Sequence, residues 1–164
     1  MLTSGVATPG DRSAALDVWR SANTARGLPP TLARIERVRE KLDDPSACLV
    51  VARDDGVVVG MALAEPYRDQ GGTGPVSEGA GHISMVFVVP SLWGTGIGTE
   101  LLERVHHESR RRGWSTVSVW TRATNHRAHR LYKGHQYQRT PDIKQLAGGD
   151  EIVRFVAMLG RPSR

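Results

Sequence analysis

Val86-Phe87-Val88-Val89-Pro90-Ser91-Leu92-Trp93-Gly94-Thr95-Gly96-Ile97-Gly98-Thr99-Glu100-Leu101-Leu102 decides how this chain is read. An apolar run stops at a proline, glycine then takes every second position, and an amphipathic helix begins. A strand, a glycine loop and a helix in that order leave several backbone N–H groups free at the helix N-terminus. Together with the positive end of the helix dipole they make a seat for phosphate. Three alternating glycines are more than a tight turn needs. A nucleotide P-loop would require a lysine after its last glycine, and none follows Gly98. A dinucleotide fingerprint reads Gly-x-Gly-x-x-Gly, with an acid about 20 residues on. Here the spacing is Gly-x-Gly-x-Gly, and the next strand ends without an acid.

The rest of the composition narrows the class. At 164 residues the chain is most simply one domain, 1–164, long enough to bury a core. Hydrophobic residues at 39% against 24% charged suit a folded chain rather than a disordered one. No apolar run reaches the roughly 18 residues of a membrane span, and the N-terminus lacks the basic and apolar regions of a signal peptide. Cys48 is the single cysteine and lies in the apolar run Cys48-Leu49-Val50-Val51-Ala52. It reads as a buried thiol rather than a nucleophile, which fits a reducing cytoplasm. Basic residues outnumber acidic ones by 22 to 17, and the excess gathers in Arg110-Arg111-Arg112 and in residues 122–139, which hold three of the six histidines. The triplet before Gly113 reads as a helix end, where cations favour the dipole. No aromatic ladder or zinc spacing accompanies it, so a nucleic-acid partner is not expected.

Periodicity orders the elements as α/β. Thr8-Pro9-Gly10-Asp11 is a helix start, followed by the stripe Ala15, Val18, Trp19, Ala22. Leu32, Ile35, Val38 and Leu42 mark a second helix. Residues 48–53 and 57–65 form a hairpin around Asp54-Asp55-Gly56. Residues 67–81, with five glycines, read as a mobile surface loop. Residues 82–89 then form a central strand. The helix after the glycine loop ends at Gly113, and residues 116–121 are a strand. Residues 125–133 form a short helix with Ala128 and Leu131 facing inward. A strand beginning near Tyr137, a turn over 142–150 and a strand over 151–159 complete the chain. Helical crossovers imply a parallel pair within a mixed sheet.

The strand, Pro-x-x-x-Gly-x-Gly-Ile-Gly and Leu-Leu helix resemble the acetyl-CoA loop of the GNAT superfamily of N-acetyltransferases, whose pattern is Arg/Gln-x-x-Gly-x-Gly/Ala. Gly96 and Gly98 match, while Trp93 stands where Arg or Gln is usual. Asn125-x-x-Ala128-x-x-Leu131-Tyr132, followed by Tyr137, resembles a second motif of that family, Asn-x-x-Ala-x-x-Leu-Tyr-x-x-x-Gly-Phe. Gln136 replaces its glycine and Tyr137 its phenylalanine, and Gly134 leaves open where the helix stops. The resemblance covers about residues 3–159, the first 45 in pattern alone.

This resemblance implies a single-domain GNAT-like fold, a mixed central sheet with flanking helices, and acetyl-CoA as co-substrate with no metal. It assigns the pyrophosphate to the amides of Gly94, Thr95, Gly96, Ile97, Gly98 and Thr99. The pantetheine would pair with the backbone of Val86, Phe87 and Val88, and the Val88 amide would stabilise the oxyanion. Asn125 would contact the cofactor, although the helix N-cap role reads equally well for it. It implies direct attack by the amine in a ternary complex. Tyr132 is the candidate acid for the departing thiolate, since a phenol with pKa near ~10 can donate there; structural packing is the competing role. For the base, His82 and Ser84 share one face of the central strand, and an imidazole's ordinary pKa near ~6.5 suits the task. An exposed bystander is the other reading of His82, and Glu65 is a second candidate for base or amine anchor.

The acceptor that the resemblance implies is a primary amine of a small molecule, a peptide or a protein. Acids at 65, 69, 78, 142, 150 and 151 hint at a cationic one. The alternative is a non-catalytic module on the same fold that binds acyl-CoA or a partner through its basic patch. A homodimer is an open expectation.

Overall fold

A computed structural model describes residues 1–160. Among these residues seven strands, β1 (Leu2–Val6), β2 (Cys48–Asp54), β3 (Val57–Arg68), β4 (Val76–Val88), β5 (Thr116–Arg122), β6 (Tyr137–Gln145) and β7 (Glu151–Met158), hydrogen-bond in the order β1-β2-β3-β4-β5-β7-β6, and they gather into two compact units, residues 1–64 with 85–105 and residues 65–84 with 106–160.

In the first unit, Thr8 and Asp11 form a capping box on a short 3-10 turn that leads into α1, Arg12–Ala25. The Asp11 carboxyl sits below its ordinary range because it accepts from the Thr8 backbone N–H, with Arg53 as a further partner. Thr31 caps α2, Leu32–Asp43, by accepting from the Arg34 N–H. The expected hairpin forms as β2, Cys48–Asp54, and β3, Val57–Arg68, paired antiparallel. Leu16, Trp19, Ile35 and Val38 from the helices pack against Leu49, Val51, Met61 and Leu63. Residues on the opposite face of β2 and β3, such as Val50, Ala52 and Ala62, are sealed as well. The N-terminal turn of α4, Ile97–Arg111, approaches that face so closely that a Cβ on Gly60 would stand 2.8 Å from Ile97 Cγ2. Each fully buried leucine of α4, Leu101 and Leu102, contributes about 2 kcal/mol of burial.

One strand escapes sequence reading. β1, Leu2–Val6, pairs antiparallel with β2 from Leu2↔Asp54 to Val6↔Val50. Thr3-Ser4-Gly5 has no apolar alternation, so backbone pairing carries this strand. Ser4 also donates to Glu100 Oε1 of α4 at 2.7 Å.

The second unit corrects three expectations. Residues 67–81 are not a mobile loop: β3 runs to Arg68, a single turn α3 covers Asp69–Gly72, and β4 already begins at Val76 and runs to Val88. Backbone pairing again overrides composition, for Ala80↔Thr116 to Ile83↔Val119 form the parallel ladder of β4 with β5, Thr116–Arg122. Gly81 lies flat beneath Trp114, where a Cβ would fall 2.3 Å from the indole. The glycine is thus a packing requirement rather than a loop signal. Residues 142–150 are not all turn: β6, Tyr137–Gln145, keeps pairing with β7, Glu151–Met158, up to Gln145↔Glu151, and only the stretch closed by the 2.7 Å bond from Leu146 N to Asp150 O turns. In α5, His126–Lys133, the buried residue is Tyr132, whereas Ala128 and Leu131 are only half-buried.

Candidate active site

The glycine loop belongs to the first unit. Pro90–Leu92 form a 3-10 turn after β4, and Gly94 and Gly96 take φ values of +80° and +93°, a region that an L side chain enters only with strain. Among the described residues, none of the six backbone N–H groups from Gly94 to Thr99 has a hydrogen-bond acceptor. Six unpaired donors at the N-terminus of a fifteen-residue helix suit a diphosphate, because oriented amides bind an anion without any side-chain charge. The Thr95 hydroxyl, by contrast, donates to Leu92 O at 2.6 Å. Trp93, at the position where Arg or Gln was the pattern, donates its indole N–H to Val88 O at 2.8 Å. It ties the loop to the end of the strand that carries Val86, Phe87 and Val88, all half-buried.

The remaining candidates lie in the second unit. His82 Nδ1 is 2.9 Å from Ser118 Oγ on the neighbouring strand, and Tyr67 packs edge-on against His82 with ring centroids 6.3 Å apart. Ser84 donates to Glu65 Oε1 at 2.5 Å. His82, Ser84 and Glu65 therefore sit on one open face, as strand alternation predicts. The sequence did not single out Tyr67, Ser118 or Arg154. Arg154 Cζ lies 5.2 Å from the Tyr67 ring centroid, and its Nη1 donates to Asp142 at 3.2 Å. The one available signal was a cation inside Ile152-Val153-Arg154-Phe155-Val156.

Asn125 is the N-cap of α5, its Oδ1 accepting from the Ala128 N–H at 3.2 Å. Seven residues on, Tyr132 is 4% exposed and packs against Tyr137 and Phe155 at 5.3 and 5.9 Å between centroids. Burial raises its pKa, which holds the phenol neutral. Its hydroxyl makes no hydrogen bond among the described residues, yet it is not one of the sealed, unpartnered side-chain atoms, which are Ser109 Oγ and Arg154 Nε. The Tyr132 hydroxyl thus keeps its proton and has no internal partner to give it to. The helix stops at Lys133 with Gly134 right-handed, and the left-handed residue is Gln136, φ +69°. The left-handed turn thus falls at Gln136, the position where this sequence lacks the glycine of the second motif.

No helix among the described residues is long and apolar enough to cross a membrane, and no group of three His, Cys, Asp or Glu among them could hold a metal ion.

The loop and the Asn125–Tyr137 segment define an acetyltransferase class, and comparison with known proteins agrees. The model of the acetyltransferase (GNAT) family matches residues 14–137. The chain belongs to that family. An N-acetyltransferase of Archaeoglobus fulgidus is 34% identical over 59 residues, a stretch that spans 36% of this chain and 40% of that relative. Among solved structures, the ribosomal-protein-S18-alanine N-acetyltransferase of Escherichia coli superposes with a TM-score of 0.78 at 17% identity, over 100% of this chain and 97% of the other. The Salmonella typhimurium protein yncA, solved with its cofactor acetyl-CoA, gives a TM-score of 0.77 at 21% identity, over 99% of this chain and 96% of its own. At these identities the likeness is one of fold.

Proposed function

We propose that the protein transfers an acetyl group from acetyl-CoA to a primary amine by direct attack. The observation that carries this reading is the run of six unpaired amides from Gly94 to Thr99, on a family member whose structural relative holds acetyl-CoA. Bound there, acetyl-CoA supplies an acetyl thioester. The loop amides hold its pyrophosphate, and the backbone of Val86, Phe87 and Val88 lines the pantetheine, with the Val88 N–H directed at the carbonyl oxygen.

His82 takes the proton from the incoming amine. In the tautomer that places the proton on Nδ1, Ser118 accepts it and the basic lone pair stands on Nε2. Glu65, oriented by Ser84, anchors the ammonium before it is deprotonated. Tyr132 gives its phenolic proton to the leaving sulfur, and Asn125 contributes its amide to the cofactor while it caps α5. A cationic acceptor is not favoured by the acids at 142 and 150, because Asp142 pairs with Arg154 and Asp150 with Arg122.

Calorimetric titration with acetyl-CoA, followed by thiol release over an amine panel, tests the reading. Micromolar binding and amine-dependent thiol release are expected, and no binding at millimolar acetyl-CoA overturns it.

A further inference from the structure

Trp93 stands at the corner between the two backbone segments that β4 and the glycine loop offer a ligand. Its indole N–H donates to Val88 O at 2.8 Å, and the next amide of the chain, Val89 N–H, donates to Val59 O of β3 at 2.9 Å. Both ends of the Val88–Val89 peptide are thus held, one by the loop and one by the sheet. A strand residue points its own N–H and C=O to one side, and successive residues alternate. Val89 N–H points at β3, so the Val88 carbonyl points to the opposite edge of β4. The ladder with β5 runs from Ala80↔Thr116 to Ile83↔Val119 and ends before Val88. The indole therefore lies against the edge of β4 that is left open to an added strand.

The loop is braced from within by other bonds. Leu92 N–H donates to Val89 O at 3.0 Å, Trp93 N–H to Pro90 O at 3.3 Å and Thr95 Oγ1 to Leu92 O at 2.6 Å. These contacts lie within residues 89–95 and shape the turn, whereas the indole bond reaches back from the loop to the strand. Residues 90–99 contain no Lys, Arg or His. Ligand binding there falls to backbone groups at fixed positions, not to long side chains that can follow a displaced ligand.

We propose that Trp93 is a positioning residue whose indole fixes the spacing between the loop amides from Gly94 to Thr99 and the edge of Val86–Val88, so that one acetyl-CoA meets both with its diphosphate and its pantetheine. This rests on the reading of the protein as an acetyl-CoA-dependent acetyltransferase. Two linked halves of a ligand bind more tightly than the separate halves only when the spacing of the subsites matches the link. The indole bond is already made in the free protein, so the cofactor does not have to order the corner as it binds.

Trp93→Phe keeps an aromatic ring at the corner and removes the N–H. Displacement calorimetry compares it with the wild type for acetyl-CoA and for two halves of it, ADP for the diphosphate end and S-acetylpantetheine for the thioester end. Acetyl-CoA affinity is expected to fall by about tenfold, while each half binds within about twofold of the wild type. In turnover the same loss appears in KM for acetyl-CoA and not in kcat. Unchanged acetyl-CoA affinity overturns the inference. An equal loss for either half does so too, because the indole then braces one segment rather than the spacing between two. Halves that fail to displace acetyl-CoA from the wild type also overturn it, since the two segments are then not separate grips. If Trp93→Phe misfolds, the wild type decides: its Trp93 indole N–H resists solvent exchange in the free and in the acetyl-CoA-bound protein, and rapid exchange in either overturns the inference. Absence of acetyl-CoA binding by the wild type is instead failure of the acetyltransferase reading itself.

Discussion

His82 Nδ1 and Ser118 Oγ stand 2.9 Å apart across the parallel ladder of β4 and β5. Ser118 is 3% exposed, so its hydroxyl is fixed by packing and in turn fixes the imidazole. If His82 is the base, His82→Gln lowers kcat/KM by roughly 10²- to 10⁴-fold. Ser118→Ala, which leaves the imidazole in place but without its partner on β5, lowers it less. A His82→Gln enzyme with wild-type kcat/KM would transfer the role to Glu65.

Tyr132 separates a chemical role from a packing role cleanly. Its ring fills a cluster with Tyr137 and Phe155, while its hydroxyl bonds to nothing within the described residues. Tyr132→Phe preserves the ring and forfeits no internal hydrogen bond, so thermal stability is retained. Thiol release in single turnover nevertheless falls by about 10²-fold. Full activity in Tyr132→Phe ends its candidacy as the acid.

Gly96 has a φ of +93°, and a Cβ there would meet nothing within 4 Å. Space is open, so the cost of Gly96→Ala is purely conformational, about 1–2 kcal/mol. The loop relieves this by turning its amides away from their common focus. Acetyl-CoA affinity drops by about tenfold or more in calorimetry, while the unfolding midpoint of the apoprotein falls by no more than the few degrees this conformational cost allows. Unchanged affinity would show that these amides do not seat the pyrophosphate.

What the sequence made legible follows a physical rule. The glycine loop and the Asn125–Tyr132 helix were readable because local geometry fixes them: a phosphate seat needs small residues next to a helix start, and an N-cap needs a short acceptor side chain. β1 and the part of β4 ahead of His82 were not, since Thr3-Ser4-Gly5 and Ala80-Gly81 owe their extension to partners distant in sequence. The cluster around Arg154 was invisible for a related reason. Tyr67, His82, Ser118 and Arg154 come from four different strands, and only the register sets them side by side.

Gln136 carries an avoidable strain. Its φ of +69° is left-handed, a conformation that glycine enters without a Cβ penalty. A non-glycine residue there costs about 1–2 kcal/mol. Gln136→Gly therefore stabilises the protein by about 0.5–1 kcal/mol after the added entropy of the unfolded chain is set against the relief. That is a rise of a few degrees in Tm. A fall in Tm would mean that the Gln136 side chain contributes more than its backbone loses.

The same turn leads into a buried pair that makes stability depend on pH. His106 Nε2 is 2.7 Å from Tyr137 Oη, and their rings stack at 5.4 Å. Burial lowers the His106 pKa to about 4, and the charges of Arg110 and His135 push it the same way. The ring is therefore neutral in the folded protein, and Tyr137, whose own pKa burial raises, donates to it. In the unfolded chain histidine takes its proton near pH ~6.5. As pH falls below that, the unfolded state gains the proton first and is favoured. The contribution is whole above pH ~6.5 and is lost progressively towards pH 4, reaching about 3 kcal/mol. Urea unfolding at pH 7 and pH 4.5 should show this loss in the wild type. His106→Phe, which cannot take up the proton, is less stable at pH 7 because Tyr137 loses its acceptor, yet it loses less on acidification. Equal losses in the two proteins would show that protonation of His106 is not what costs stability between pH 7 and pH 4.5; the Asp11 carboxyl, held below its ordinary range, loses its contribution only at lower pH.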